Sequence, residues 1–99
     1  MDRYSLIQVK VSGVSALREI IGKGTPVILK SGSTVGDLIN KLDEKFGSDY
    51  KEIVGEELGY SIRKRFNLLI NDVVTAPLQN LGKGLSDGDK IVIFQLAGG

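Results

Sequence analysis

Between Ser5 and Val11 the chain alternates. Ile7, Val9 and Val11 point one way and Leu6, Gln8 and Lys10 the other, which predicts a half-buried strand. Ser12-Gly13 breaks the pattern. Val14–Ile21 carries Ala16, Leu17, Ile20 and Ile21 and reads as a wide loop or a single helical turn, punctuated by Gly22-Lys23-Gly24. A second strand is expected over Pro26–Lys30, with Val27 and Leu29 on one face and Ile28 on the other. Pro26 suits a strand start, where a missing N–H costs least. The two strands read as a hairpin with an expanded loop.

The period then changes. Val35, Leu38, Ile39, Leu42 and Phe46 share one helical face. Thr34 with Asp37 three residues on resembles a capping box, Lys41 and Lys45 sit toward the far end, and Gly47 is placed to take a left-handed cap. A helix over Thr34–Phe46 spans about 20 Å, enough to cross a small sheet. Gly47–Arg65 is less regular. It is charged, holds Tyr50, Ile53, Val54, Leu58 and Ile62 at mixed spacing, allows a short helix over Tyr50–Glu56, and ends in Arg63-Lys64-Arg65.

Alternation returns at Phe66–Asn71, with Leu68 and Ile70 on one face and Leu69 on the other. Asn71-Asp72 is a tight-turn pair tolerant of positive φ, leading into a short strand at Val73-Val74. Ala76–Gly84 reads as a loop anchored by Leu78 and Leu81, and Leu85–Asp89 as a turn. Over Lys90–Leu96, Ile91 and Ile93 face inward while Val92, Phe94 and Leu96 face outward; Ala97-Gly98-Gly99 follows. Strand, strand, helix, linker, strand, short strand, strand makes an α+β two-layer domain: one main helix on a mixed sheet of four or five strands. One helix covers one sheet face. The other face meets water or a partner, and Leu69, Val92, Phe94 and Leu96 lie on it provided the last strand pairs beside the third.

Composition narrows the chemistry. The 99 residues suit a single domain, residues 1–99, large enough to bury a core without a staple. Cys, His and Trp are all absent, which excludes disulfides, thiolate or imidazole metal sites, and Cys–His or Ser–His–Asp catalysis. A net charge of +1 argues against a dedicated nucleic-acid binder. Met1–Ser5 is polar and carries both charge signs, unlike a signal peptide. The longest apolar run, Ile91–Phe94, is far short of the about 18 residues a membrane span needs. A cytoplasmic location is the expectation.

Gly22-Lys23-Gly24-Thr25 and Gly82-Lys83-Gly84 lack the upstream glycine of a phosphate-binding P-loop, having Leu17 and Pro77 there. Both read as turns. The carboxylate pairs Asp43-Glu44 and Glu56-Glu57 read as solvated, and Asp87/Asp89 as turn residues bonding nearby backbone N–H groups. Arg63-Lys64-Arg65 reads as a solvated rim, with contact to phosphate or an acidic partner as the alternative. The last feature is Leu96-Ala97-Gly98-Gly99. Without side chains Gly98 and Gly99 form a thin, flexible tail over 97–99 that fits a narrow channel, with an unhindered main-chain carboxylate at Gly99.

Three motifs carry a resemblance. Ala16-Leu17-Arg18-Glu19 with Gly22, Thr34-Val35-Gly36-Asp37-Leu38 with Leu42, and Leu85-Ser86-Asp87-Gly88-Asp89-Lys90-Ile91 with Ala97-Gly98-Gly99 resemble the ubiquitin-like sulfur carriers, in particular the small subunit of molybdopterin synthase. Phe94-Gln95, where that type often has Pro-Pro, resembles the thiamine-pathway carrier instead. The likeness covers nearly the whole chain and implies a β-grasp fold.

It also implies a mechanism in which the chain is a carrier, not an enzyme. A ubiquitin-activating-type enzyme using ATP and Mg²⁺ adenylates the Gly99 carboxylate, and a sulfur donor protein converts it to a thiocarboxylate. The large catalytic subunit of molybdopterin synthase then takes the tail and transfers the sulfur to a pterin precursor. In that scheme Leu69, Val92, Phe94, Leu96 and Ala97 dock partners, Gly98 and Gly99 thread, and the chain binds no metal, cofactor, nucleic acid or membrane. The alternatives are a ubiquitin-like modifier joined through Gly99 to lysines, a sulfur carrier for thiamine thiazole synthesis, and a plain interaction domain.

Overall fold

The computed structural model describes residues 5–95. In chain order these form β1 (Leu6–Gly13), α1 (Ala16–Ile20), β2 (Thr25–Lys30), α2 (Val35–Val54), α3 (Leu58–Arg65), β3 (Asn67–Ile70), β4 (Val73–Thr75), a 3-10 turn (Pro77–Gln79) and β5 (Lys90–Phe94). The five strands make one mixed sheet in the order β2-β1-β5-β3-β4. β1 and β2 pair antiparallel, as the hairpin expected, with α1 in the connection. β5 inserts between β1, to which it is parallel, and β3, to which it is antiparallel. The last strand thus closes the sheet from its centre, which is the β-grasp arrangement.

Alternation predicts the buried face correctly. Ile7, Val9, Val11, Val27, Leu29, Leu68, Ile70, Ile91 and Ile93 are all buried, beneath Val35, Leu38, Ile39 and Leu42 of α2. The capping box is present: the Asp37 N–H donates to Thr34 Oγ1, and the Thr34 N–H donates to the Asp37 carboxylate at 2.9 Å. Asn71 and Asp72 both adopt positive φ, 49° and 71°, the geometry a two-residue hairpin of this twist requires.

Three expectations need correction. The main helix does not stop at Phe46 with Gly47 as its cap. It runs 20 residues to Val54 and ends at Gly55, whose φ of 83° is the left-handed cap. The physical reason is Tyr50, 3% exposed, which continues the row Leu38, Leu42, Phe46 by one more turn into the core. Burying an aromatic outweighs the about 1 kcal/mol that a glycine costs inside a helix. The segment read as a linker is therefore the end of α2 followed by a second helix, α3. Leu58 and Ile62 of α3 are fully buried in the same core, so two principal helices cover one face of the sheet. Finally, Leu78 does not anchor the loop after β4. It is 51% exposed, and Pro77 is buried instead, with Leu81 packed on the core.

Candidate functional site

β3 and β5 pair antiparallel with Leu69 opposite Val92 and Asn67 opposite Phe94. Their neighbours Leu68, Ile70, Ile91 and Ile93 are buried under the helices, so Leu69, Val92 and Phe94 stand on the helix-free face, all half-buried. The sequence expectation required this pairing, and the structure brings the three together. Directly opposed residues have Cβ atoms about 5 Å apart, so Leu69 and Val92 form one continuous apolar surface. α3 packs on the helix side, against α2, and does not reach this face. Leu96, Ala97, Gly98 and Gly99 lie outside the described residues.

Val74 completes the row. It pairs with Leu69 across the β3–β4 hairpin and is 61% exposed. Sequence reasoning missed it, although the signal was there: a two-residue turn at Asn71-Asp72 places Val74 opposite Leu69 by counting. The apolar row thus runs Val74, Leu69, Val92 and stops at Ser12, the β1 partner of Val92. Beyond it lie Lys10 and Lys90, paired in register. An apolar strip flanked by lysines is the composition of a docking surface with a polar rim.

β5 enters the site through a set of hydrogen bonds that fix its start. The Asp87 carboxylate accepts from the Gln8 N–H at 2.8 Å, and Asp89 accepts from the Ser86 N–H and the Asn71 side chain, both at 2.8 Å. The Asn71 side chain in turn accepts from the Lys90 N–H at 2.9 Å. These carboxylates are structural: they bond the backbone N–H groups of the turn and the strand beside it. The two Gly-Lys segments are likewise turns knitted into the fold: the Gly24 N–H donates to Ser12 Oγ at 2.8 Å, and the Lys83 carbonyl accepts from the Val35 N–H at 2.9 Å.

The remaining acidic pairs differ. Glu44 meets Lys41 at 3.5 Å and Glu57 meets Lys51 at 2.7 Å on the surface. Glu56 is more tightly held: Arg65 donates to both its oxygens at 2.9–3.2 Å, and Ser61 donates its hydroxyl. The Arg65 guanidinium, with help from Ser61, holds the Glu56 carboxyl below its usual value. These are pairs that fasten helices, and Arg65 also borders a cleft between the last turn of α3 and the 3-10 turn. Among the described residues no group of His, Cys, Asp or Glu is arranged to hold a metal ion, and no helix is long and apolar enough to cross a membrane. Arg63-Lys64-Arg65 is the last turn of α3, with Lys64 and Arg65 exposed as a solvated rim.

A family model described as the ThiS family matches residues 14–99. No curated protein matches the chain. Among solved structures, the small archaeal modifier protein SAMP1 of Haloferax volcanii is 22% identical with a TM-score of 0.62, over 93% of this chain and 98% of that one. A Pyrococcus furiosus protein assigned as molybdopterin converting factor, subunit 1, is 21% identical with a TM-score of 0.65, over 90% and 97%. Small archaeal modifier protein 1 of Methanosarcina acetivorans is 25% identical with a TM-score of 0.58, over 96% and 98%. The fold is shared with all three, and the family match spans most of the sequence from the end of β1 onward: the chain belongs to the ThiS family of ubiquitin-like sulfur carriers.

Proposed function

We propose that this chain carries sulfur as a thiocarboxylate on Gly99 and delivers it as the small subunit of a molybdopterin synthase. The observation that carries the proposal is the helix-free strip of Val74, Leu69, Val92 and Phe94, on the strand that leads into Leu96-Ala97-Gly98-Gly99. A partner seated on the strip is positioned to receive the residues that follow β5.

The carrier supplies no acid, base or nucleophilic side chain. The adenylating partner, with ATP and Mg²⁺, joins the Gly99 carboxylate oxygen to the α-phosphorus and releases pyrophosphate. Sulfide-level sulfur (HS⁻) delivered by a donor protein then attacks the acyl carbon, the bond to AMP breaks, and AMP leaves with the thiocarboxylate formed. Sulfur is the better nucleophile, and the large catalytic subunit directs it to a pterin precursor. What the fold contributes is presentation: a rigid sheet holds the strip, and two glycines carry no Cβ to block a channel.

The second reading is a protein modifier joined through Gly99 to lysines, favoured by the likeness to two small archaeal modifier proteins, one of them 25% identical. Activation chemistry is common to both, and the acceptor separates them. Proteomic mapping of cells expressing the chain decides between the two: Gly-Gly remnants on target lysines support the modifier, whereas a co-purifying synthase large subunit and no remnants support the carrier. Replacing Gly98 with Val tests the threading argument. It is expected to abolish sulfur delivery with the melting temperature unchanged, and full activity in that variant would refute the channel requirement.

A further inference from the structure

β2 is one edge of the sheet, and its pairing with β1 fixes which of its backbone groups face outward. The Ser31 N–H donates to the Ser5 carbonyl at 2.9 Å, so these two residues are a hydrogen-bonded pair of the antiparallel ladder. Such pairs alternate along the strands. Thr25, Val27 and Leu29 therefore turn their N–H and C=O groups to β1, whereas Pro26, Ile28 and Lys30 turn theirs outward. Pro26 has no N–H to leave unpaired. The Lys30 carbonyl accepts from the Ser33 N–H at 3.0 Å. Among the described residues nothing bonds the N–H or the C=O of Ile28, which lies between them.

The side chains around this edge are apolar and open. Ile28 is 49% exposed and Leu6 62%, and the register sets them diagonally on the helix-free face. A cleft of about 570 Å³ runs beside the edge, lined by Leu6, Ile28 and Leu29 and, from α2, by Asp37 and Lys41. No described element covers the strand. Proteins blunt exposed edges with proline and lysine. Here Pro26 and Lys30 stand at the two ends of β2, and the middle, Val27-Ile28-Leu29, carries no such guard.

We infer that β2 pairs antiparallel with β2 of a second copy of this chain, about a two-fold axis at Ile28. In that register the Ile28 N–H donates to the Ile28 carbonyl of the second copy and the reciprocal bond forms as well. Pro26 then faces Lys30 of the second copy, and the N–H that proline lacks falls where the Lys30 carbonyl is already bonded by Ser33. Neighbouring registers fail. An axis at Val27 sets the Ile28 carbonyl against the missing N–H of Pro26, and an axis at Leu29 sets the Ile28 N–H against the occupied Lys30 carbonyl. The two defects cancel only against each other, which favours a second copy over an unrelated strand. On the helix-free face the two Ile28 side chains meet with Cβ atoms about 5 Å apart, flanked by Leu6 of each copy. The strip of Val74, Leu69 and Val92 lies on the other half of the sheet, so pairing leaves it free and the inference stands apart from the carrier reading.

The test is sedimentation of the full chain from micromolar to millimolar concentration, joined to cysteine cross-linking. The mass is expected to rise with concentration toward that of a dimer. Ile28→Lys opposes like charges across the axis and is expected to stay monomeric with an unchanged melting curve. The chain contains no Cys, so Ile28→Cys introduces a single thiol. Across a hydrogen-bonded pair the Cα atoms lie about 5.5 Å apart, within disulfide reach. Under mild oxidation Ile28→Cys is expected to cross-link roughly tenfold faster than Val73→Cys, a control on the opposite edge strand that is 64% exposed. Should Ile28→Lys fail to fold, the two cysteine variants decide alone. A monomer throughout the range, a dimer that persists in Ile28→Lys, or equal cross-linking of the two cysteine variants overturns the inference. So does a chain that stays monomeric yet binds another protein through Ile28, which would put a foreign strand on the edge.

Discussion

Glu56 fastens the end of α3 to its start, accepting from Ser61 one turn in and from Arg65 at the last residue. Because Arg65 lowers its pKa in the folded chain, the stabilisation is complete above the ordinary carboxylate range and is lost as pH falls through the lowered folded value. Glu56→Gln is therefore expected to melt lower than wild type at pH 7, with the difference vanishing in acid; equal melting at pH 7 would show that the pair contributes nothing. Gly13 makes a different point. A Cβ there would lie 2.6 Å from the backbone carbon and oxygen of Leu17, so α1 sits directly on the end of β1. Gly13→Ala is expected to destabilise by about 1–3 kcal/mol in urea titration, as overpacking does, and it bears on α1 rather than on docking.

Where α2 ends is decided by two glycines that look alike in the sequence. Gly47 lies inside the helix, where a Cβ would meet only the movable Asp43 carboxylate, and Gly55 closes it at φ 83°. Gly47→Ala is expected to stabilise by about 0.5–1 kcal/mol and Gly55→Ala to destabilise by about 1–2 kcal/mol. Reversed signs in thermal melts would place the helix end at Phe46 after all. The strands, the capping box and the Asn71-Asp72 turn were legible because each is a local pattern. The second half of α2 was not, because a glycine in a good cap position is a local signal and the burial of Tyr50 that overrides it is tertiary. Leu58 and Ile62 likewise lacked a readable period, since α3 is only eight residues long.

For the molecule as a whole, strand order makes the site. Val92 and Phe94 become a surface only because β5 inserts beside β3. Alternation gave the faces of the individual strands and the Asn71-Asp72 turn the register of Val74, whereas the pairing of β5 with β3 and β1 depends on topology that no single segment encodes. Phe94→Asp is expected to weaken partner binding by about 2 kcal/mol or more, roughly thirtyfold in Kd, as loss of an aromatic anchor does. Its neighbours Ile91 and Ile93 hold the core, so the melting temperature should fall little; a variant that unfolds would assign Phe94 to the core instead.

The central claim is that the reactive group of this protein is a main-chain carboxylate rather than a side chain. Intact-mass measurement of the native chain, isolated from cells that contain its adenylating enzyme, tests it most directly. The account predicts a species heavier by the difference between one sulfur and one oxygen atom, located by fragmentation to Gly99 and absent when the adenylating enzyme is deleted. An unmodified Gly99 in the presence of that enzyme would contradict it.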